Sequence, residues 1–548
     1  MKMLYIQKWS VYSVGTFLCS LLLISSPVKG GDVVKANDTD NLNLTTSWTG
    51  LAVPGSGDVA VWDSTVTAAN TTLLGADLGW AGIRIASPVG LVTISAGNTL
   101  TLGASGIDMS AASQNLTLNN AVTLGAAQSW NIQSGRTLTV GGAVAINNLL
   151  TKDGAGTLTL IVANSGTGGM TVNNGILSIT AGGAGTGTIA MNGGTLDLVG
   201  SSLTVNNALN ITANSSFQTH NSYTLSGAWS GSGNFTLNSG ISSGRTLTIG
   251  GNMSAYSGTV SFGGNAGTVR LDNSTGNTGS SGAIFDLGTS TLTMNTRNGG
   301  STMNIGGLTG GTGTTLTGRS GSSGSGATTY SIGGANTDTT FSGKITDGAT
   351  ATAVTKVGTA KLTLAGANTY SGATAINGGI LQVDGSLAGA GAVTVGASGK
   401  LMGIGTINGS TTVNGEIAPG DSAIGTLTFN NALTLAGLDT MELNRANSQN
   451  ADLINDVGSG ITLGGTLTVN NIGAALVLGD TFNLFDGTIS GTFSTINLPT
   501  LDSSLQWDES QLYNNGIIDV VSVPEPATLA LLGVGGLVAV WQIRRRKE

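Results

Sequence analysis

The sequence is short of the residues on which most enzyme chemistry depends. It has one histidine, His220, and one cysteine, Cys19, in 548 residues. A single histidine excludes a His-Glu-x-x-His zinc site and any multi-histidine centre. A single cysteine excludes an intrachain disulfide and a four-cysteine zinc site. Charged residues are 9% of the chain, against roughly 25% in an ordinary soluble domain. The formal charge is −8 and the body has no basic stretch, which argues against nucleic acid as a partner. Proline occurs 7 times and glycine has no three-residue period, so the chain is not collagen-like. Gly343-Lys344 and Gly399-Lys400 are followed by Ile345 and Leu401. A phosphate-binding loop needs Ser or Thr there.

What is plentiful is glycine, 89 residues, together with Thr, Ser, Asn and Ala. Gly, Thr, Ser and Asn disfavour helix interiors. Hydrophobic residues are 39%, too many for a charged disordered chain. Short alternating segments recur, among them Thr99–Leu102, Asn115–Leu118, Thr137–Val140, Thr157–Leu160, Leu177–Ile179 and Leu196–Leu198. Apolar residues alternate with polar or hydroxyl residues in each, the pattern of a strand with one buried face. Gly, Asn and Ser clusters separate them and supply turns. Leu100, Leu116, Leu138, Leu158, Leu177 and Leu196 suggest a period near twenty. That is too short for a βαβ unit and fits one coil of a β-solenoid. One coil cannot offset its own ordering entropy, so coils must stack. The expected fold is all-β, an elongated parallel β-helix; a run of separate β-sandwiches is the competing architecture.

The two ends read differently. Lys2 and Lys8 precede the mostly apolar stretch 11–24, and Val28-Lys29-Gly30 offers a cleavage position. Residues 1–30 thus read as a secretory leader, with an uncleaved anchor as the alternative. Phe17-Leu18 before Cys19 do not suit a lipoprotein signal. At the other end, Pro524-Glu525-Pro526 precede Ala527–Ile543, 17 uncharged residues, and then Arg544, Arg545, Arg546 and Lys547. The length is at the short limit for a bilayer span, and the basic cluster predicts a stop-transfer end in the cytoplasm. The prolines mark an extended approach outside the helix. The leader holds three lysines and the tail four basic and two acidic residues. Without both, 13 basic and 26 acidic residues remain, a net charge of −13.

This tail resembles the PEP-CTERM sorting signal: a Pro-Glu-Pro motif, one transmembrane segment and a terminal Arg cluster. The resemblance implies export, recognition by an exosortase-type membrane protease, and a link to exopolysaccharide or biofilm. A second resemblance lies in the body. Residues 355–383 contain Thr355-Lys356, Gly358, Leu362-Thr363-Leu364, Ala367-Asn368, Tyr370 and Asn377-Gly378-Gly379-Ile380-Leu381. Residues 151–179 repeat much of this 204 positions earlier, without the Tyr. The unit resembles the autotransporter-associated β-strand repeat, also called the passenger-associated transport repeat. That resemblance implies a right-handed β-helix and surface export. The chain departs from autotransporters in ending on a basic-flanked apolar segment, not a membrane barrel.

The expected organisation is a leader at 1–30, an N-terminal cap at 31–88 and solenoid repeats at 89–440. A C-terminal β cap at 441–522 follows, with Phe482, Phe485, Phe493, Trp507 and Tyr513 as its aromatic core. Residues 523–548 form the sorting tail with its single transmembrane helix. Candidate sites each have a plain reading. His220 is expected to be a solvated turn residue. Asp32, Asp38 and Asp40 do not complete a calcium loop. Trp130, Trp229 and Tyr370 are expected to pack in the core instead of stacking on sugars. Asp508-Glu509 would point to opposite faces of a strand. No cofactor or metal is expected. The reading is an exported, non-enzymatic surface or matrix protein, anchored first in the inner membrane. Its partners are the Sec translocon, the exosortase-type protease and exopolysaccharide. A carbohydrate-binding adhesin, or a β-helix polysaccharide lyase or hydrolase, are the alternatives.

Overall fold

The alternating segments become strands, and almost every strand pairs in parallel with the one a coil away. The computed structural model describes residues 30–524, apart from 181, 240, 322–323 and 422. The leader before Gly30, Glu525, Pro526, the apolar stretch 527–543 and Arg544–Lys547 lie outside the described residues. The fold is a right-handed parallel β-solenoid with nearly no helix. The described helical segments are Leu512–Asn515 and two single turns at Thr45–Ser47 and Asn273–Thr275. Among the described residues no helix is long and apolar enough to cross a membrane.

One coil shows the plan. Thr352–Lys356 lies on a first face, Lys361–Leu364 on a second and Ala367–Asn368 on a third. Thr374–Ile376 then returns to the first face and pairs with Val354–Lys356. Inward positions are apolar and stack on their own kind. On the second face Leu116, Leu138, Leu158, Leu177, Leu196 and Phe217 form one column, at intervals of 22, 20, 19, 19 and 21 residues. All six are buried, and each contributes on the order of 1.5–3 kcal/mol.

Leu100 does not belong to that column. It stacks between Leu78 and Val122 on the third face, while Val92 lies under Leu116. The interval of 16 from Leu100 to Leu116 is therefore a step between faces, not a coil. The cause is the long strand Thr99–Met109, which turns a corner without breaking. Gly106 sits at that corner with a left-handed φ of 60°, and a Cβ there would meet the Ser129 carbonyl at 2.1 Å.

Parallel pairing starts earlier and ends later than the boundaries at 88 and 440. Asp32–Val34 pairs with Val59–Val61, which pairs with Gly82–Arg84. The segment 31–88 thus supplies the first coils and closes them. Trp48, Trp62 and Trp80 are buried together, with ring centroids 5.9–6.3 Å apart in edge or tilted contacts. Such contacts add about 0.5–1.5 kcal/mol per pair. At the far end the ladders run on to Ile489–Gly491 and Thr495–Asn497. The closing element is a three-stranded antiparallel sheet of Thr481–Asn483, Ile517–Ser522 and Leu505–Asp508. The expected aromatic residues do pack at this end. Phe482 meets Trp507 at 6.2 Å and Phe485 meets Phe493 at 5.8 Å, and Tyr513 is partly buried against the same core.

Candidate functional site

The chemistry of the solenoid collects at its corners. In both repeat copies the first-face strand carries an inward lysine at or next to its end, because alternation puts Lys152 and Lys356 on the buried parity. Both side chains are buried. A buried ammonium needs acceptors, and the corner supplies backbone carbonyls. Lys152 Nζ donates to the carbonyls of Asp153 (2.9 Å), Gly154 (2.7 Å) and, one coil on, Asn174 (3.1 Å). Lys356 Nζ donates to Val357 (2.7 Å) and, one coil on, Gly378 (3.2 Å). Burial pushes both ammonium groups down to about 8, against the pull of Asp153 and Asp338. Both remain charged at neutral pH. Lys35 does the same work in the first coil, on the carbonyls of Ala36 and Asp38 and the Asp38 carboxylate.

The repeat asparagines join three coils. Asn164 accepts from the Val144 amide (2.7 Å) and donates to the Gly183 carbonyl (2.5 Å). Asn368 accepts from Ile345 (3.0 Å) and donates to Gly366 (2.9 Å) and Ser386 (3.2 Å). In the complete copy, Tyr370 hydroxyl meets Thr374 Oγ1 at 2.6 Å inside the coil. Sequence reading placed these residues in the repeat and Tyr370 in the core, but missed the burial of Lys152, Lys356 and Asn368. The signal was available: Lys152 and Lys356 fall on the apolar parity of their strands, two residues before a corner glycine.

The outer faces are hydroxyl and amide surfaces. Ser129, Asp153, Asn173, Asn192 and Thr212 link side chain to side chain across five coils. On the third face Thr204, Thr224, Thr248 and Arg270 stand in one outward column. They line a groove of about 360 Å³ with Ser202, Ser222 and Thr246. Arg270 Nε is buried there, without a partner among the described residues.

The singled-out residues are dispersed. His220 is exposed, with Nε2 2.9 Å from Asp197 Oδ1. Asp32 pairs with Arg84, Asp38 with Lys35 (2.7 Å), and Asp40 accepts from Thr46. Among the described residues no three His, Cys, Asp or Glu side chains stand close enough to hold a metal. Trp130, Trp229 and Tyr370 are buried in the core. Asp508 ends its strand and accepts from the Ser510 amide.

Two buried carboxyls near the C-terminal end went unread in the sequence. Asp452 accepts from the amides of Gly425 and Glu442, both 2.8 Å, yet burial, with the nearby Glu442 charge, pushes it up to about 7. Asp439 occupies an inward position between Ile417 and Leu467. Both its oxygens are buried without a partner among the described residues, and burial pushes it up to about 8. Beyond them the chain leaves the folded body abruptly. Strand Ile517–Ser522 is held on both edges, and Val523 donates to the Ser504 carbonyl at 2.9 Å. Pro524, the first residue of the Pro-Glu-Pro motif, follows at once and is exposed.

Comparison with known families agrees with this anatomy. A search of curated proteins finds no relative that matches. The passenger-associated-transport-repeat model matches residues 150–179 and 354–383, the two stretches that carry the buried lysines and the coil-linking asparagines. The PEP-CTERM protein-sorting motif matches residues 522–547, so the chain carries a PEP-CTERM sorting signal directly behind a β-solenoid with passenger-type repeats.

Proposed function

We propose that the protein is an exported, non-enzymatic component of the cell surface or extracellular matrix, released from a temporary membrane anchor by an exosortase-type protease. The observation that carries this reading is the sorting motif at 522–547, which starts where the last strand ends. The leader at 1–30 would take the chain to the Sec translocon. Ala527–Ile543 would hold it in the inner membrane. Arg544–Lys547 would keep the terminus in the cytoplasm, since several cations cross a bilayer only at a cost of several kcal/mol. That fixes Pro524-Glu525-Pro526 at the outer surface. The test is gel mobility and membrane fractionation in a host that makes exosortase. Wild type is expected as a shortened form. Pro524→Ala with Pro526→Ala, and Arg544, Arg545 and Arg546→Glu, should each leave a full-length, membrane-bound chain. Shortening of both variants like wild type would sink the reading.

A second reading has one observation behind it. The groove of Ser202, Thr204, Ser222, Thr224, Thr246, Thr248 and Arg270 presents hydroxyls in register beside one guanidinium group. That chemistry suits a carboxylated sugar chain, and supports exopolysaccharide as a partner. A glycan array with wild type and Arg270→Ala tests it. Acidic glycans bound by wild type alone would support it, and no binding, or equal binding by both, would remove it.

A further inference from the structure

The C-terminal end exposes apolar side chains where a soluble end cap has no use for them. Residues 457–479 contain no charged residue. Within this stretch the loop after strand Thr466–Asn471 leaves Ile472 48%, Val477 41% and Leu478 62% exposed. The loop is fixed. Leu476 is buried beneath it, and Val477 donates to Asp480 Oδ2 at 2.7 Å, with Asp480 paired to Arg445 at 3.0 Å. Gly479 donates to the Val520 carbonyl at 2.9 Å. This places the loop beside strand Ile517–Ser522, the strand from which the chain leaves. Val523, 44% exposed, adds a fourth apolar side chain at the exit.

We infer that this apolar tip, Ile472, Val477, Leu478 and Val523, rests on the surface of the lipid bilayer while the tail is attached. The inference depends on the reading of 527–543 as a membrane segment. Its second support is reach. From Pro524 to Ala527 the chain advances three residues, which span about 10 Å when fully extended. Two of the intervening positions belong to the stiff Pro-Glu-Pro motif, so there is no slack to hold the cap clear of the headgroups. Whatever surrounds the exit must meet the interface; it presents the apolar loop and Val523, with Asp480 paired to Arg445 and Asp502 held by the Ser504 amide and hydroxyl. A tip of four side chains is too small to hold a protein of this size alone, as one short acyl chain gives only marginal binding. Loss of the tail would therefore release the tip as well.

The test uses the full chain in a Cys19→Ser background, with an environment-sensitive dye on Leu478→Cys or, as control, on the outer-face position Thr171→Cys. Each is reconstituted into phosphatidylethanolamine–phosphatidylglycerol vesicles carrying a lipid-borne quencher. Flotation, read against the same chain stopped after Pro526, reports whether the tail inserts. Quenching reports whether the tip touches lipid. The expected result is that both chains float, that the dye at 478 loses most of its emission, and that the dye at 171 keeps its emission. Flotation with both dyes equally unquenched would overturn the inference and leave the membrane tail standing. Failure to float would overturn both.

Discussion

The repeat corners and the C-terminal coils each bury a charge-bearing side chain, with opposite provision for it. Lys152 and Lys356 end on two or three backbone carbonyls drawn from successive coils. Asp439 ends on nothing, between the side chains of Ile417 and Leu467. The difference teaches what a buried charge does in a solenoid. At a corner the backbone turns inward carbonyls that no ladder uses, and an ammonium ties adjacent coils through them. In mid-strand the backbone is already paired, and a carboxyl has only apolar neighbours. The first arrangement gives its charge acceptors that tie neighbouring coils, at a desolvation cost that lasts until the amine loses its proton in alkali. The second weakens the stack except in acid.

The largest expected effect comes from removing the unpartnered group. Asp439 is pushed above its ordinary 3.8 to about 8, so the folded state holds a proton that the unfolded state releases. Stability from this site is complete below about pH 4 and falls as pH rises towards 8. Asp439→Asn should remove that fall and raise the local stability of the C-terminal coils by ~2–4 kcal/mol at pH 7, with no gain at pH 4. Amide hydrogen exchange across 411–471 at both values checks this, because coils open locally. Destabilisation at pH 7 would show that Asp439 has a partner in solution.

Next in size is the loss of a corner lysine. Lys152→Met keeps the apolar stem and leaves three carbonyls without their donor, so about 1–3 kcal/mol should be lost from neighbouring coils. Lys356→Met should cost less, since two carbonyls are affected. The pH dependence runs opposite to that of Asp439. With folded values near 8 against the ordinary 10.5, the unfolded chain holds the proton longer, and stability rises between pH 8 and 10.5. Hydrogen exchange at pH 7 and chemical denaturation at pH 8 and 10 should show both effects, and each Met variant should lose its own lysine's share of the alkaline rise.

A smaller effect separates the two asparagines. Asn368→Ala strands one amide and two carbonyls, whereas Asn164→Ala strands one of each. The former should be the more destabilising by ~0.5–1.5 kcal/mol, measured by denaturant unfolding. Equal losses would mean that the bond to Gly366 contributes nothing.

Much of this was legible in the sequence. Thr-Leu-Thr-Leu alternation marked the strands and their inward leucines, and the shared order of Lys, Asn and turn glycines marked the two repeat copies. The coil period was only partly legible. Leu100 looked like a member of the second-face column because strand 99–109 rounds a corner that local pattern does not reveal. The first ladders reach into the segment expected to cap the solenoid, where Trp62 and Trp80 lie on their strands. The buried Lys and Asp439 were missed because charge was read as exposure. In 438–443 either parity can be taken as the inward one, and one residue of slip exchanges Leu438 for Asp439.

The central claim, export followed by removal of the tail, is tested most directly by mass spectrometry of both termini of the native protein. Samples from hosts with and without exosortase should be compared. The predicted result with the protease is a chain that begins near Gly30 and ends close to Pro524–Pro526, lacking 527–548. Without it, the same N-terminus should be joined to a chain complete to Glu548 and bound to membranes. A chain intact to Glu548 in both hosts, or the same shortened end in both, would contradict the account.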